Sequence, residues 1–359
     1  MKNRSNYIIH ILLAIVITSG LSGCVQEVEP FGKSSETPLI VTGRITNQPG
    51  PHTVKLVFEE GFNILPDYNL VEGSVVKIMD DLGNEEILTY NSFGRFNTSE
   101  SFSAVIGRSY HLEITLPSDV AYESIPETMV DVPSISKVDY KKGDGTIIFT
   151  VDYQDEPGVE NYYRWGYRGI YEVFSSMAES SGGSGTLGRA SRCYPANINK
   201  NRFPTCWVTD FDAELLRIES DELFDGKERT GEEVYQVDLT RKFDIGYLGT
   251  IKQYSLTKSA YEYWNAIDNQ LGNTGSIFES SNYQIKGNIR EKEDPTKLVL
   301  GYFEVSAVTE SSVFVEEYSN TFDPIDCTAN EAGCIPARCI SCLSYGPTAT
   351  RVKPENWPK

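Results

Sequence analysis

The sequence predicts a mainly β protein: an N-terminal β-sandwich, then a larger β-rich domain with one clear helix. Three observations lead there. Strand-forming Val, Ile, Thr, Tyr and Phe recur in short blocks, Gly, Pro, Asn and Asp punctuate them, and apolar residues alternate with polar ones inside them. With 359 residues, 40% of them hydrophobic, the chain can bury a sizeable core and has the length for about two domains.

The first element is not part of the fold. Lys2 and Arg4 precede an apolar run from Ile8 to Thr18 and the small-residue approach Leu21-Ser22-Gly23, the pattern of a signal peptide over residues 1–23. The run is too short to cross a bilayer, which takes roughly 20 residues. Leu21-Ser22-Gly23-Cys24 resembles the bacterial lipobox, which implies that Cys24 is lipidated and becomes the new N-terminus. Two or three acyl chains then give stable anchoring where one is marginal. Glu27 and Glu29, just beyond, resemble the signal that sends lipoproteins of the Bacteroidetes group to the outer face of the outer membrane.

Residues 24–37 read as a polar tether. The sandwich is expected over 38–130. Leu39, Val41, Gly43 and Ile45 share one face of a strand, the Asn47–Pro51 stretch turns, and Val54, Leu56 and Phe58 point back inward. Val75–Met79, Glu85–Tyr90, Gly94–Phe96 and Ser109–Leu116 add strands. Pro126 to Pro133 has two prolines and no periodicity, so a domain boundary is expected there and a second domain over 134–359. Strands at 135–140 and 146–153 open it, and Tyr163, Trp165 and Tyr167 line one face of the next. A flexible loop follows over 175–205, and its glycines lack the Gly-Lys-Ser/Thr of a phosphate-binding loop. The helix is expected over 256–271, with Ala260, Trp264, Ile267 and Leu271 as a core stripe, Ser255 or Thr257 as its cap and Gly272 as its end. Strands at 283–289 and 298–305 precede a Cys-rich tail over 326–359.

The formal charge is −19, with 32 basic and 51 acidic residues. Such a field repels phosphate backbones and anionic lipid surfaces, which argues against nucleic acid as a partner. With Cys24 set aside, Cys193, Cys206, Cys327, Cys334, Cys339 and Cys342 remain, an even set in an exported chain. That favours disulfides over a metal site, with 15 pairings open. Cys193 and Cys206 are expected to anchor the 175–205 loop.

No catalytic constellation emerges. His52 sits in a turn and His111 on a strand opposite Leu112, both read as exposed strand-edge residues. Carboxylate doublets such as Asp80-Asp81 and Glu232-Glu233 are what chance produces among so many acids, and adjacent strand residues face opposite ways. Asp210-x-Asp212-x-Glu214 lacks the glycine of a calcium loop. The expectation is therefore a non-enzymatic binder without metal or cofactor, its binding surface in residues 175–207 and the tail, with Trp207 as the exposed aromatic.

Two resemblances complete the reading. Val71–Ile78, Asp81-Leu82-Gly83, Gly94-Arg95-Phe96 and Gly107–Leu112 look like the immunoglobulin-like modules of bacterial surface proteins, related to transthyretin-like carboxypeptidase regulatory domains. Val41–Ile45, Tyr163-Arg164-Trp165, Cys206-Trp207, Gly287-Asn288-Ile289, Gly301-Tyr302-Phe303, Cys339–Cys342 and Pro354–Trp357, with the lipobox, resemble the Bacteroidetes lipoprotein family of domain of unknown function 4249. That resemblance implies an accessory lipoprotein beside a TonB-dependent outer-membrane transporter, helping to capture a nutrient ligand, and attaches no catalytic residues. A structural or adhesive envelope component, or a carboxylate-dependent hydrolase, are the alternatives.

Overall fold

A computed structural model describes residues 37–58, 71–176, 203–272, 284–316, 325–328, 330 and 334–358, without the side chains of residues 211–215. Cys24 and Cys193 lie outside the described residues. The chain runs β1 (Leu39–Thr46), β2 (Thr53–Phe58), β3 (Val75–Asp80), β4 (Glu85–Ile87), β5 (Thr89–Tyr90), β6 (Arg95–Asn97), β7 (Ser109–Thr115), β8 (Ala121–Ser124) and β9 (Glu127–Thr128). It continues through β10 (Ile135–Lys142), β11 (Thr146–Gln154), β12 (Tyr162–Phe174), β13 (Thr205–Ser220), β14 (Glu228–Asp238) and β15 (Gly246–Leu256). Helix α1 (Lys258–Gly272) precedes β16 (Ile289–Glu291), β17 (Val299–Ser306) and β18 (Val308–Glu316). A one-turn helix, α2 (Ala337–Ile340), and β19 (Ala349–Thr350) follow. The protein is mainly β, as its alternating patterns predict.

Among the described residues four sheets form: β17-β1-β2-β6-β5, β16-β8-β7-β3-β4 with β9 on β7, β10-β11-β14, and β18-β15-β12-β13-β19. The expected break at 131–133 does not separate independent domains. Pro38–Lys359 is one compact unit, and buried residues from Leu39 to Val315 form one contiguous apolar core. The reason lies in pairing that sequence order hides. β17 adds to the first sheet parallel to β1, with Leu39 opposite Val299 and Thr46 opposite Ser306. β16 adds to the edge of the second sheet through β8. After Ala307 the same stretch of chain continues as β18 and pairs with β15 in the fourth sheet. One long extended segment thus ties the N-terminal strands to the rest.

Two glycine-bearing segments hold that segment in place. The Asn288 side chain donates from Nδ2 to the Phe303 carbonyl at 2.8 Å and accepts from the Phe303 N–H at 2.9 Å, acting as a strand partner made of side chain. Gly301 has φ +89°, and a Cβ there would meet the Val41 carbonyl oxygen at 2.0 Å. Only glycine allows this conformation and this approach of β17 to β1. The local sequences Gly287-Asn288-Ile289 and Gly301-Tyr302-Phe303 are therefore the joint that closes the first sheet.

The two central strands of the fourth sheet are buried along most of their length, β15 with ten of its 11 residues buried. That is the pattern of strands covered on both faces. On one face Tyr163, Trp165 and Tyr167 of β12 pack on Tyr153, Phe149 and Tyr235 of the third sheet, at ring separations of 4.1–5.6 Å. The opposite face of β12 presents Arg164 to β17 and α1. Helix α1 begins two residues later than expected, capped by Thr257, whose Oγ1 accepts from the Ala260 N–H. Ser255 instead donates to the Val130 carbonyl. Of the predicted stripe, Ala260 is buried, Trp264 and Ile267 are half-buried and Leu271 is 59% exposed.

Two disulfides join described cysteines: Cys206–Cys342 and Cys327–Cys339, and Cys334 is disulfide-bonded as well. Cys206 therefore does not close a loop with Cys193. Its partner is the tail, because β13 runs beside β19, with Trp207 opposite Thr350 and Val208 opposite Ala349.

Candidate functional site

The site grows from the side of the first sheet that faces away from its core. Val41, Ile45, Val54, Leu56 and Phe96 point inward, so strand alternation sends Thr42, Arg44, Lys55 and Arg95 to the other face. Register aligns them. Thr42 lies opposite Lys55 on β2, Lys55 opposite Arg95 on β6, and Arg44 opposite Glu304 on β17. With the turn residues Gln48, Pro49, Pro51 and His52, and with Tyr254 from β15, they line an open cleft of about 550 Å³. Among the described residues, four basic ones line it (Arg44, His52, Lys55 and Arg95) and no acidic one. Neither Lys55 nor Arg95 has an acidic partner among the described residues. In a chain where acids outnumber bases 51 to 32, this is a local reversal of sign.

Beyond Arg44 the same sheet face is roofed by α1. A second cavity of about 340 Å³ lies there, lined by Arg44, Arg164, Tyr263, Trp264, Tyr302 and Glu304, with Leu216. Glu304, 2% exposed, organises it. Its carboxylate accepts from Trp264 Nε1 at 2.7 Å, from Ser306 Oγ at 2.8 Å and from Arg164 Nη2 at 3.2 Å, and lies 3.7 Å from Arg44 Nη1. The two guanidinium groups are also fixed by ring faces: Arg44 sits 4.0 Å from the Tyr254 centroid and Arg164 4.3 Å from that of Trp264. Arg44 is thus a pre-oriented donor shared by both cavities. Tyr302 donates to the buried Glu127 at 2.5 Å, and burial followed by that carboxylate pushes its phenol far up, so it stays a neutral donor.

His52 is not a free turn residue. It is half-buried in the cleft, its Nε2 3.1 Å from the Gln48 carbonyl oxygen, and it packs edge-on to Phe102 at 5.9 Å. Burial holds its pKa below the usual value, the Gln48 carbonyl opposes this, and the Arg44 charge adds to the lowering. His111 is not on an edge either, because β7 lies between β3 and β8. Its ring nitrogen is 3.9 Å from Glu113. Trp207 is half-buried, edge-on to Trp357 at 6.3 Å, and Trp357 packs on Phe314 at 5.0 Å. The remainder of the expected binding loop, 177–202, lies outside the described residues.

Among the described residues, Asp155, Asp221 and Asp225 have carboxylate oxygens within 4.8 Å of one another, a donor set of the type that suits a hard cation. Each also accepts a backbone N–H: Asp155 from Gly226 at 2.8 Å, Asp221 from Asn161 at 2.8 Å and Asp225 from Gly158 at 2.7 Å. Burial raises the Asp221 pKa, the Asn161 N–H opposes it, and the Asp155 and Asp225 charges push it further up. A carboxyl with a raised folded pKa stabilises the fold fully below its unfolded pKa, and that contribution is lost as pH rises through the folded value. Asp221→Asn keeps an acceptor for Asn161 and removes the penalty. It is expected to be more stable than wild type at pH 7, with the gain vanishing near pH ~4. Urea titrations at both pH values check this, and an equal gain at both would contradict it.

Asp80 and Asp81 share Arg108, at 2.7 and 2.5 Å, and Asp210 is engaged by Lys242 and Tyr247. These carboxylates are spent on structure.

The family model for Domain of unknown function (DUF4249) matches residues 25–312. The chain belongs to this family. The motifs noted in the sequence now have places in this DUF4249 protein: Arg44 and Arg164 on the site's cations, Gly287–Ile289 and Gly301–Phe303 at the joint beneath it. No curated protein matches the chain. Among solved structures, a "putative carbohydrate binding protein from Bacteroides uniformis" is similar at 11% identity, over 62% of this chain and 92% of that one, with a TM-score of 0.14. At that TM-score the likeness carries nothing over to this protein.

Proposed function

We propose that this protein is a lipid-anchored lipoprotein on the outer face of the outer membrane, and that it serves as a non-enzymatic accessory binding component of a TonB-dependent nutrient uptake system. The anchor rests on the lipobox-like Leu21–Cys24 and on Glu27 and Glu29. The observation that carries the binding role is the cleft over β1, β2 and β6, where cations converge with no acid among the described lining residues and Arg44 is held ready by Glu304 and Tyr254. Its volume falls in the range of small-molecule sites, about 300–1,000 Å³. Binding centres on this cleft rather than on Trp207, whose ring is engaged with Trp357.

Crosslinking in intact cells followed by purification of the protein should recover a TonB-dependent transporter. Cys24→Ala should release the protein from the membrane fraction. Recovery of no transporter from wild-type membranes, or normal uptake with altered surface attachment in a deletion strain, would replace this reading with a structural or adhesive one.

A further inference from the structure

The cleft over the first sheet has a chemistry more specific than binding in general, and its ligand class can be read from its lining. We infer that it is a site for a short acidic saccharide, one whose carboxylate or sulfate groups meet Arg44, Lys55 and Arg95 while its hydroxyls meet the polar side chains between them. This deepens the binding role proposed above and rests on it.

The charge argument comes first. Lys55 and Arg95 are in register on adjacent strands, and Arg44 lies one strand further and two residues along. Neighbouring strands are roughly 4.8 Å apart, so the three cations are spread over about two such spacings. That spread suits a ligand with more than one anionic group better than a single ion. Thr42 and Thr53 stand on the same face among the cations, and Gln48 lines the cleft beside them. A hydroxyl or amide can both donate and accept, which is what a hydroxyl-rich ligand needs between its charged groups. Pro49 and Pro51 add apolar surface to the lining for the faces of sugar rings, while Tyr254 holds Arg44.

The size argument excludes long polyanions. Fields are screened over about 8 Å at physiological ionic strength, so the cleft attracts anions only close in. Farther out, a ligand meets a molecule with net charge −19. A nucleic acid or an anionic bilayer would extend across that repelling surface, whereas a few sugar residues fit within about 550 Å³ and stay inside the attractive zone. The cleft therefore selects small over large as well as charged over neutral.

Isothermal titration of the full-length lipoprotein in neutral detergent tests this with trigalacturonate, a sulfated heparin-derived tetrasaccharide, neutral maltotriose and inorganic sulfate. At least one acidic saccharide should bind, with affinity that falls as salt rises, and maltotriose should not. Lys55→Gln with Arg95→Gln should weaken binding on the order of tenfold or more while leaving the melting temperature unchanged, since both side chains lie outside the core. The His52 imidazole resonances should shift on saturation. Binding of neither acidic probe, equal binding of maltotriose, or undiminished binding by the double variant would overturn the inference. Inorganic sulfate displacing the saccharide at equal concentration would show a site for any small anion and overturn the saccharide assignment. The titration contains no transporter, so failure to recover one from cells would leave its outcome intact.

Discussion

Glu304→Ala is expected to cost about 3–5 kcal/mol of folding stability, the range for breaking a buried charge group by removing one partner. Glu304 is 2% exposed and Arg164 3% exposed, so neither can turn to water when the other is lost. The substitution leaves the Arg164 charge buried, strips Trp264 Nε1 of the Glu304 acceptor and removes the Glu304 contact of Arg44. Glu304→Gln should cost less, because an amide oxygen still accepts from Trp264 or Arg164 while the charge goes. The informative variant is the pair Glu304→Leu with Arg164→Met. Removing both charges together should recover most of the loss, since the penalty of the single variant comes from a buried Arg164 charge that has lost the Glu304 carboxylate rather than from the pair's own worth. Chemical denaturation of the four proteins measures this. A double variant as unstable as Glu304→Ala would show that the carboxylate acts through Trp264 and Ser306 instead.

The same residues show why the site was only partly legible in the sequence. Alternation in β1 and β2 put Val41, Ile45, Val54 and Leu56 inward, and by the same step it put Arg44 and Lys55 on the other face. What the alternation cannot show is that Arg95 comes into register beside Lys55 through β6, that Tyr254 joins the lining of the cleft, or that α1 roofs the second cavity. A usable signal did exist for Glu304: a lone charged residue in the largely apolar Val299–Ser306 strand marks a buried charge that must have a partner. Trp264 read as core by its helical spacing, and it does pack inward, yet its indole N–H is the handle that fixes the buried carboxylate.

The fold was legible wherever contacts are local. Hairpins such as β1–β2 and β10–β11 follow from turns and period-two patterns, and α1 from its period of 3.6. The larger failures are long-range, while the local ones are confined to element ends, such as the helix start and the strand expected over 283–289 that forms at Ile289–Glu291. The parallel partner of β1 lies in Val299–Ser306, and nothing in either segment names the other. A Pro-rich stretch without periodicity at 126–133 looked like a linker, but its neighbours are stitched across it by β16, β17 and the Ser255–Val130 bond. Likewise six cysteines allow 15 pairings, and only the β13–β19 contact decides that Cys206 meets Cys342.

That bridge carries the second large effect. Cys206 and Cys342 are 136 residues apart in sequence, whereas Cys327 and Cys339 are 12 apart. In the chain-entropy account a cross-link stabilises by restricting the unfolded chain, more for longer loops, which gives roughly 5 kcal/mol for the first and roughly 3 kcal/mol for the second. The paired substitution Cys206→Ala with Cys342→Ala should therefore lower stability more than Cys327→Ala with Cys339→Ala. The local packing acts in the same direction, because both Cys206 and Cys342 are fully buried beside Val173 and Val208, with the Cys342 N–H donating to the Phe203 carbonyl at 3.0 Å. Denaturant titration of the two variants ranks them, and protease digestion along the same titration separates two mechanisms. If the bridge acts on the unfolded chain, the loss is global and β10 to β18 become cleavable at lower denaturant. If it only pins the tail, cleavage appears first between 325 and 358 while the sheets keep their wild-type midpoint. A short-loop variant as damaged as the long-loop one would refute the loop-length account, leaving packing around each sulfur as the source of the stability.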